Sequence, residues 1–330
     1  MADDTGAECL RPVDAPPDRS APEAAPRPVV SVILATVGSD QRLPQLLSSL
    51  RAQTFRRFEV IVVDQSNDDR LETLLESYRD AFPIRHVRHL RGLSRSRNAG
   101  LRLARGDIVC FPDDDCRYDA DALERACRFL AASPHVDGLA GRALCDRREH
   151  PAARFSRSAQ WVGARTAWTQ GISCTIFLRR ALVAQVGPFD ETLGLGSGTP
   201  WIAAEESDYL IRAVGGGARI WYDPDFTVHH PGQRGRFGAA QRERGYRYAR
   251  AMGHVLRLHR AGIVLAAYHL ARPLAGTALC ALQGRLDIAR YHLSVFRGRW
   301  RGWRETEPAG PGVRAKLEPT PVWIGEEERA

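Results

Sequence analysis

The chain has 330 residues, 44% of them apolar and 26% charged, enough for one large or two modest domains with a real hydrophobic core. This composition excludes a peptide-sized scaffold, wholesale disorder, a polytopic membrane protein and a collagen-like repeat. The net charge of +8 is unevenly spread: residues 241–304 hold 13 arginines against Glu243 and Asp287, a local +11 that leaves −3 for the rest, so one end of the protein is built to meet an anionic surface, phospholipid or nucleic acid.

Residues 1–28 carry six prolines among Ala, Asp and Arg with little to bury, which reads as a disordered leader. Seven scattered cysteines without a Cys-x-x-Cys pair, and no apolar run at the N-terminus, read as a cytosolic chain with reduced thiols. From Val29 onward, short β-branched runs alternate with helical patterns, as in a βαβ series over a parallel sheet. Strands are expected at 29–36, 58–64, 84–87 and 108–111, with helices at 43–53, 71–78 and 94–104. The run Phe58–Asp64 is almost continuously apolar, as a strand covered on both faces must be.

Ligands of open parallel sheets bind beyond the carboxyl ends of the strands, where helix N-termini and loop amides gather. Thr36, Asp64 and the run Asp113-Asp114-Asp115 each fall at such an end. Three adjacent carboxylates repel one another unless a cation sits among them, and Mg²⁺ or Mn²⁺ bridging a diphosphate would serve. Alone, the run could equally be a solvated helix-capping turn; its strand-end position points to metal. A second acidic site, Glu205-Glu206-Ser207-Asp208, opens a helical pattern. Such acids can simply complement a helix dipole, but the Gly-rich stretch 194–201 just upstream has the composition of a mobile lid.

Val32-Ile33-Leu34-Ala35-Thr36, Phe58 to Asp64, Arg97-Asn98-Ala99-Gly100, Asp113-Asp114-Asp115 and Glu205-Glu206-Ser207-Asp208, in this order and spacing, resemble the family 2 glycosyltransferases of GT-A fold over about Val29 to His230. The resemblance implies an α/β fold of the nucleotide-diphospho-sugar transferase type, with a mainly parallel sheet flanked by helices. It also implies a nucleotide-sugar donor, a divalent metal and transfer with inversion at the anomeric carbon. Carried over by residue, Thr36 and Asp64 would border the nucleoside and Arg97 the base or phosphates. Asp113 would approach the ribose and the metal, Asp114 would be among the nucleotide-binding residues, Asp115 would bind the metal bridging the diphosphate, and His230 would complete the metal site. Glu206 stands at the general base, with Glu205 as a substitute. Asp64-Gln65 replaces a common Asp-Asp, and Val37-Gly38 a common Tyr-Asn, so neither a uridine preference nor a ring stacked on the base is implied.

Residues 145–180 are expected to carry acceptor contacts, with Gly171–Thr175 as a strand near the site; Trp161 and Trp168 would stack on a sugar or pack in the core. The organisation read from the sequence is a GT-A domain over 29–235, a basic amphipathic helical region over 236–304 and a flexible tail over 305–330. The apolar segment 261–284 is interrupted by His269, Arg272, Pro273 and Gln283, which suits a helix in a membrane interface or docked on the catalytic domain better than one that spans. Nucleic acid ranks third, because no recognised binding module accompanies the arginines. The leading functional reading is an inverting, metal-dependent transferase acting on a lipid-linked or polysaccharide acceptor at the cytoplasmic face of a membrane. The alternatives are a sugar nucleotidyltransferase and a non-catalytic membrane or carbohydrate binder.

Overall fold

The structure, a computed structural model, describes residues 27–38, 41–145, 155–231 and 237–306. The expected leader, apart from Arg27 and Pro28, and the expected tail, apart from Glu305 and Thr306, lie outside the described residues.

The strands are β1 (Val30–Thr36), β2 (Phe58–Asp64), β3 (Ile84–Arg88), β4 (Ile108–Cys110), β5 (Gly138–Leu144), β6 (Gln160–Trp161), β7 (Ile176–Arg179) and β8 (Ile220–His229). They form one sheet in the order β3-β2-β1-β4-β7-β5-β8-β6. The first four are mutually parallel, with Thr36 the register partner of Asp64. β7 runs antiparallel to both β4 and β5. The sheet is therefore parallel at one side and mixed at the other, and the reversal occurs beside β4, whose end carries the three aspartates.

Helices α1 (Leu43–Arg51), α2 (Arg70–Glu76) and α4 (Ala122–Ala132) cover one face of the sheet; α3 (Leu93–Leu103), α5 (Arg180–Val186) and α6 (Glu205–Gly215) cover the other. Strand periodicity divides the core accordingly. Val30, Val32 and Leu34 join Leu43, Leu46, Leu47 and Leu50 of α1, whereas Ile33 points to the opposite cluster with Ala99 and Leu210. Every residue of β2 is buried, the charged Glu59 and Asp64 included, as a strand covered on both faces must be. The strand expected over Gly171–Thr175 is instead a 3₁₀ turn at Ser173–Thr175, with β7 starting at Ile176. The Thr175 hydroxyl and the Ile172 backbone hydrogen-bond one another and draw the chain into a turn.

Beyond the sheet come α7 (Ala239–Leu258), α8 (Ile263–Leu282) and α9 (Leu286–Glu305). Val255 and Leu256 of α7 are buried in the sheet's second core cluster. α7 and α9 lie parallel and almost backbone to backbone, because glycines remove the side chains between them. A Cβ on Gly302 would lie 1.9 Å from the Arg250 carbonyl oxygen, on Gly298 2.2 Å from that of Tyr246, and on Gly253 2.0 Å from that of Arg299. Gly-to-Ala in a helix normally gains about 1 kcal/mol. At Gly302 the clash reverses the sign, and Gly302→Ala is expected to destabilise by about 2 kcal/mol. Gly215→Ala, where nothing lies within 4 Å, is expected to be neutral or stabilising; urea unfolding of both variants measures the contrast.

Candidate active site

Chain geometry brings the two acidic clusters together. β1 and β4 are neighbours in the sheet, so the turn after β4 lies beside the end of β1, and there the Thr36 hydroxyl donates to Asp114 Oδ2 at 2.7 Å. Thr36 Oγ1 in turn accepts the backbone N–H of Gly38 at 2.9 Å. On the other side of the turn, the Ser173 hydroxyl donates to Asp113 Oδ1 at 3.1 Å. α6 begins at Glu205, immediately after Ala204 in a left-handed conformation at φ 69°, a strained backbone for a residue with a Cβ.

Arg97 of α3 joins the clusters. Its side chain is 2% exposed, and the guanidinium donates to Glu205 Oε1 at 2.9 Å and to Asp113 Oδ1 at 3.3 Å while lying over the ring of Phe189. A planar five-donor fork suits this task as an ammonium would not. Its donors thus face carboxylates in the interior. Asp64 also looks inward. It is fully buried, with one oxygen accepting the Ser66 backbone N–H at 2.7 Å and the other 3.1 Å from His86 Nε2. Burial alone would raise its pKa, but the hydrogen bonds from His86 and Ser66 outweigh it and hold the carboxyl below its usual range. Asp64 thus ties β2 to β3.

Asp115 and His230 face each other. His230 Nε2 lies 3.3 Å from Asp115 Oδ1 and 3.8 Å from Asp113 Oδ2, while its Nδ1 is 3.0 Å from the Pro231 carbonyl. A carbonyl can only accept, so Nδ1 carries a proton, and Nε2 is the ring atom that faces the two carboxylates. That arrangement needs a cation, either a proton on Nε2 or a metal ion between the groups. Two carboxylates and an imidazole oriented by a backbone carbonyl suit Mg²⁺ or Mn²⁺ in their donor chemistry. Among the described residues, no group of three or more His, Cys, Asp or Glu side chains is arranged so as to hold a metal ion. Arg42, which the sequence reading passed over, lies 3.4 Å from Asp115 Oδ2. It ends the loop after β1, and Ser39 and Asp40 of that loop lie outside the described residues.

Glu206 is half-buried and lines a small cavity with Phe111, Ser173, Ile176, Phe189 and Tyr209. Desolvation by these walls, then the neighbouring Glu205 carboxylate, push its pKa up to about 8. Ser173 also touches Asp113, so one residue borders both the Glu206 cavity and the aspartate turn. The Gly-rich stretch closes on itself through Gly194 N–H to the Trp201 carbonyl, with Gly194, Gly196 and Gly198 all at positive φ. It is fastened at several points. Leu93 N–H donates to the Leu195 carbonyl, the Ser94 hydroxyl donates to the Leu193 carbonyl, and Trp201 stacks on His254 of α7 at 4.1 Å between ring centroids. Trp168 is buried and packs on His269. Trp161, half-exposed on β6, meets Trp221 edge to face.

Residues 31–184 match the family model described as Glycosyl transferase family 2. An uncharacterized glycosyltransferase of Haemophilus influenzae is 31% identical over 120 residues, which is 36% of this chain and 40% of that protein. The glucosyl-dolichyl phosphate glucuronosyltransferase of Haloferax volcanii is 24% identical across 61% of this chain and 68% of its own length. The chain thus spans well under two thirds of the Haemophilus protein. Among solved structures, the mannosyltransferase PcManGT from Pyrobaculum calidifontis in complex with GDP-Man and Mn²⁺ superposes with a TM-score of 0.62 over 86% of this chain and 90% of that one, at 20% identity. Staphylococcus aureus TarS 1-349 in complex with UDP-GlcNAc gives 0.55 over 82% and 92%, at 21% identity. The family 2 resemblance carried by the motifs is borne out over residues 31–184, and the GT-A fold with its added C-terminal helices over most of the chain.

Removing one member of a buried ion pair strands the other charges. Arg97→Met is expected to cost about 3 kcal/mol, and clearly less in an Asp113→Asn, Glu205→Gln background. Urea midpoints around that mutant cycle measure the coupling.

Proposed function

We propose that the protein is an inverting, metal-dependent glycosyltransferase that moves a sugar, of hexose type, from a nucleotide-sugar donor to a hydroxyl of a lipid-linked or polysaccharide acceptor. It works in the cytoplasm at the inner face of the membrane, as a step of cell-envelope polysaccharide synthesis, with its basic helices against anionic lipid. The observation that carries the reading is the Glu205–Arg97–Asp113 bridge, which holds an acidic helix start against an acidic strand end. The nucleotide-sugar and Mn²⁺ complexes of the two structural neighbours agree with it.

In this reading Asp113, Asp115 and His230 hold the divalent metal, which when bound neutralises charge on the departing diphosphate. Thr36 and Asp114 shape the nucleoside side of the crevice as a hydrogen-bonded pair, and Arg42 offers a cation beside the diphosphate. Glu206 takes the proton from the acceptor hydroxyl as it attacks the anomeric carbon from the face opposite the leaving group. Its apolar walls favour that role, since a carboxylate freed of water is a stronger base. Glu205 is committed to Arg97, which makes Glu206 the better candidate of the two. Arg97 serves as a positioning residue: it fixes the start of α6 against the aspartate turn.

A base acts only when deprotonated, so with a pKa near 8 the rate of transfer should rise about tenfold per pH unit below that value and level off above it. Glu206→Gln should lower kcat by about a thousandfold or more while leaving donor affinity within a few-fold. Asp115→Asn should lose Mn²⁺-dependent stabilisation by a nucleoside diphosphate in thermal unfolding. The product distinguishes the reactions: release of nucleoside diphosphate fits transfer, whereas release of pyrophosphate would mark a nucleotidyltransferase and overturn the proposal.

A further inference from the structure

α8 is the outermost of the three C-terminal helices, antiparallel to α9. Its inner side is fixed: Ala266, His269, Pro273 and Cys280 are buried, and Arg299 of α9 donates to the His269 carbonyl at 2.6 Å. Its outer side is different. Every exposed position from Ile263 to Leu282 is apolar, with Ile263 at 86% and Leu282 at 87% exposure and Val264, Tyr268 and Leu279 between them. At 1.5 Å per residue this makes a charge-free stripe about 30 Å long, larger than isolated surface apolar residues account for.

Arginines bracket the stripe. Arg257 and Arg260 precede it and exposed Arg285 follows it. At the leading end a groove is lined by Arg257, Arg260, Ile263, Ala267, Leu270 and Trp303. The Arg257 guanidinium sits 5.2 Å above the Trp303 ring. Among the described residues, neither Arg257 nor Arg260 is in an ion pair. Two cations at the mouth of an apolar groove match one chemistry, an anionic phosphate on a hydrocarbon chain.

We propose that α8 lies flat in the headgroup layer of an anionic bilayer, its stripe in the acyl boundary, with a phospholipid phosphate held between Arg257 and Arg260 and the chain below it in the groove. A second copy is the poorer occupant, because it would set one strongly cationic helical region against another. A spanning α8 is the poorer topology: by length and composition the helix could cross a membrane, but its inner side is fastened to an arginine-rich neighbour. The inference extends the membrane contact proposed above and is independent of the sugar chemistry.

The test is flotation of the full chain with vesicles of phosphatidylcholine alone or mixed with phosphatidylglycerol, with no nucleotide sugar present. The chain should float with the anionic vesicles, remain behind with the neutral ones, and be released by high salt. Arg257→Glu with Arg260→Glu should weaken anionic-vesicle binding by about tenfold or more, as should Val264→Asp with Leu279→Asp. Unchanged circular dichroism and thermal unfolding would show both variants folded, and unchanged nucleotide-sugar hydrolysis in solution would separate lost docking from a failed enzyme. Three results overturn the proposal: no flotation, equal flotation of the variants, or a concentration-dependent dimer that the Val264 and Leu279 substitutions dissolve.

Discussion

A single buried guanidinium organises the site. Arg97 stands between Glu205 and Asp113, residues separated from it by 108 and 16 positions. Without a cation there, the aspartate turn and the paired glutamates would bring several carboxylates into one partly buried space, and Coulomb repulsion would push α6 away from the sheet. With it, the two acidic clusters can be held at close range in the folded chain. The same contact divides the two glutamates. Glu205 is engaged by Arg97, while Glu206 is left against Phe111, Phe189 and Tyr209, where the charged form is costly. Adjacent residues of one chemistry thus come to sit in opposite electrostatic surroundings.

Much of this architecture is legible from the order of residues. β2 is fixed by Phe58 to Asp64 because a run of seven that is apolar at all but Glu59 and Asp64 can be satisfied only between two helical layers. The polar residues at the ends of β1, β2 and β4 then fall on one edge, because parallel strands all end on the same side. Thr36 and Asp64 are direct register partners. The start of α6 is equally plain from its acids followed by Tyr209, Leu210 and Ile211. What sequence spacing does not carry is which way a polar side chain turns once it reaches that edge. Asp64 turns inward to His86 and Ser66, Arg97 turns to carboxylates, and Asp114 gives an oxygen to Thr36. Each partner is distant in the chain or unremarkable in type, so pattern alone gives no reason to pair them.

The turn at Ser173 shows the same limit. Gly171-Ile172-Ser173-Cys174-Thr175 has the content of a strand, and its nearness to the site is readable. The local hydroxyl–backbone bonds that convert it into a 3₁₀ turn also aim Ser173 at Asp113, where a strand would have sent alternate side chains to opposite faces. The glycines of α7 and α9 are a subtler case. In sequence Gly298 and Gly302 look like weak points in a basic helix, whereas in space they admit the carbonyls of Tyr246 and Arg250. Their spacing of four is visible, and what it faces depends on a helix some fifty residues earlier.

The C-terminal helices also take part in the site's construction. His259, just after α7, lies 2.8 Å from Asp208 Oδ1, and Arg212 holds the other oxygen of that buried carboxylate at 2.9 Å. Asp208 sits in the first turn of α6, one position beyond Ser207 from Glu206. The stack of Trp201 on His254 secures the far end of the Gly-rich loop to the same helix, with Arg250 over the indole. α7 therefore touches α6 and the Gly-rich loop at one side and packs at the other against α9, which in turn carries α8. A rigid connection of this kind fixes the crevice relative to the exposed stripe of α8. If that stripe rests on lipid, the orientation of the start of α6 relative to the membrane follows from the packing of α7 and α9.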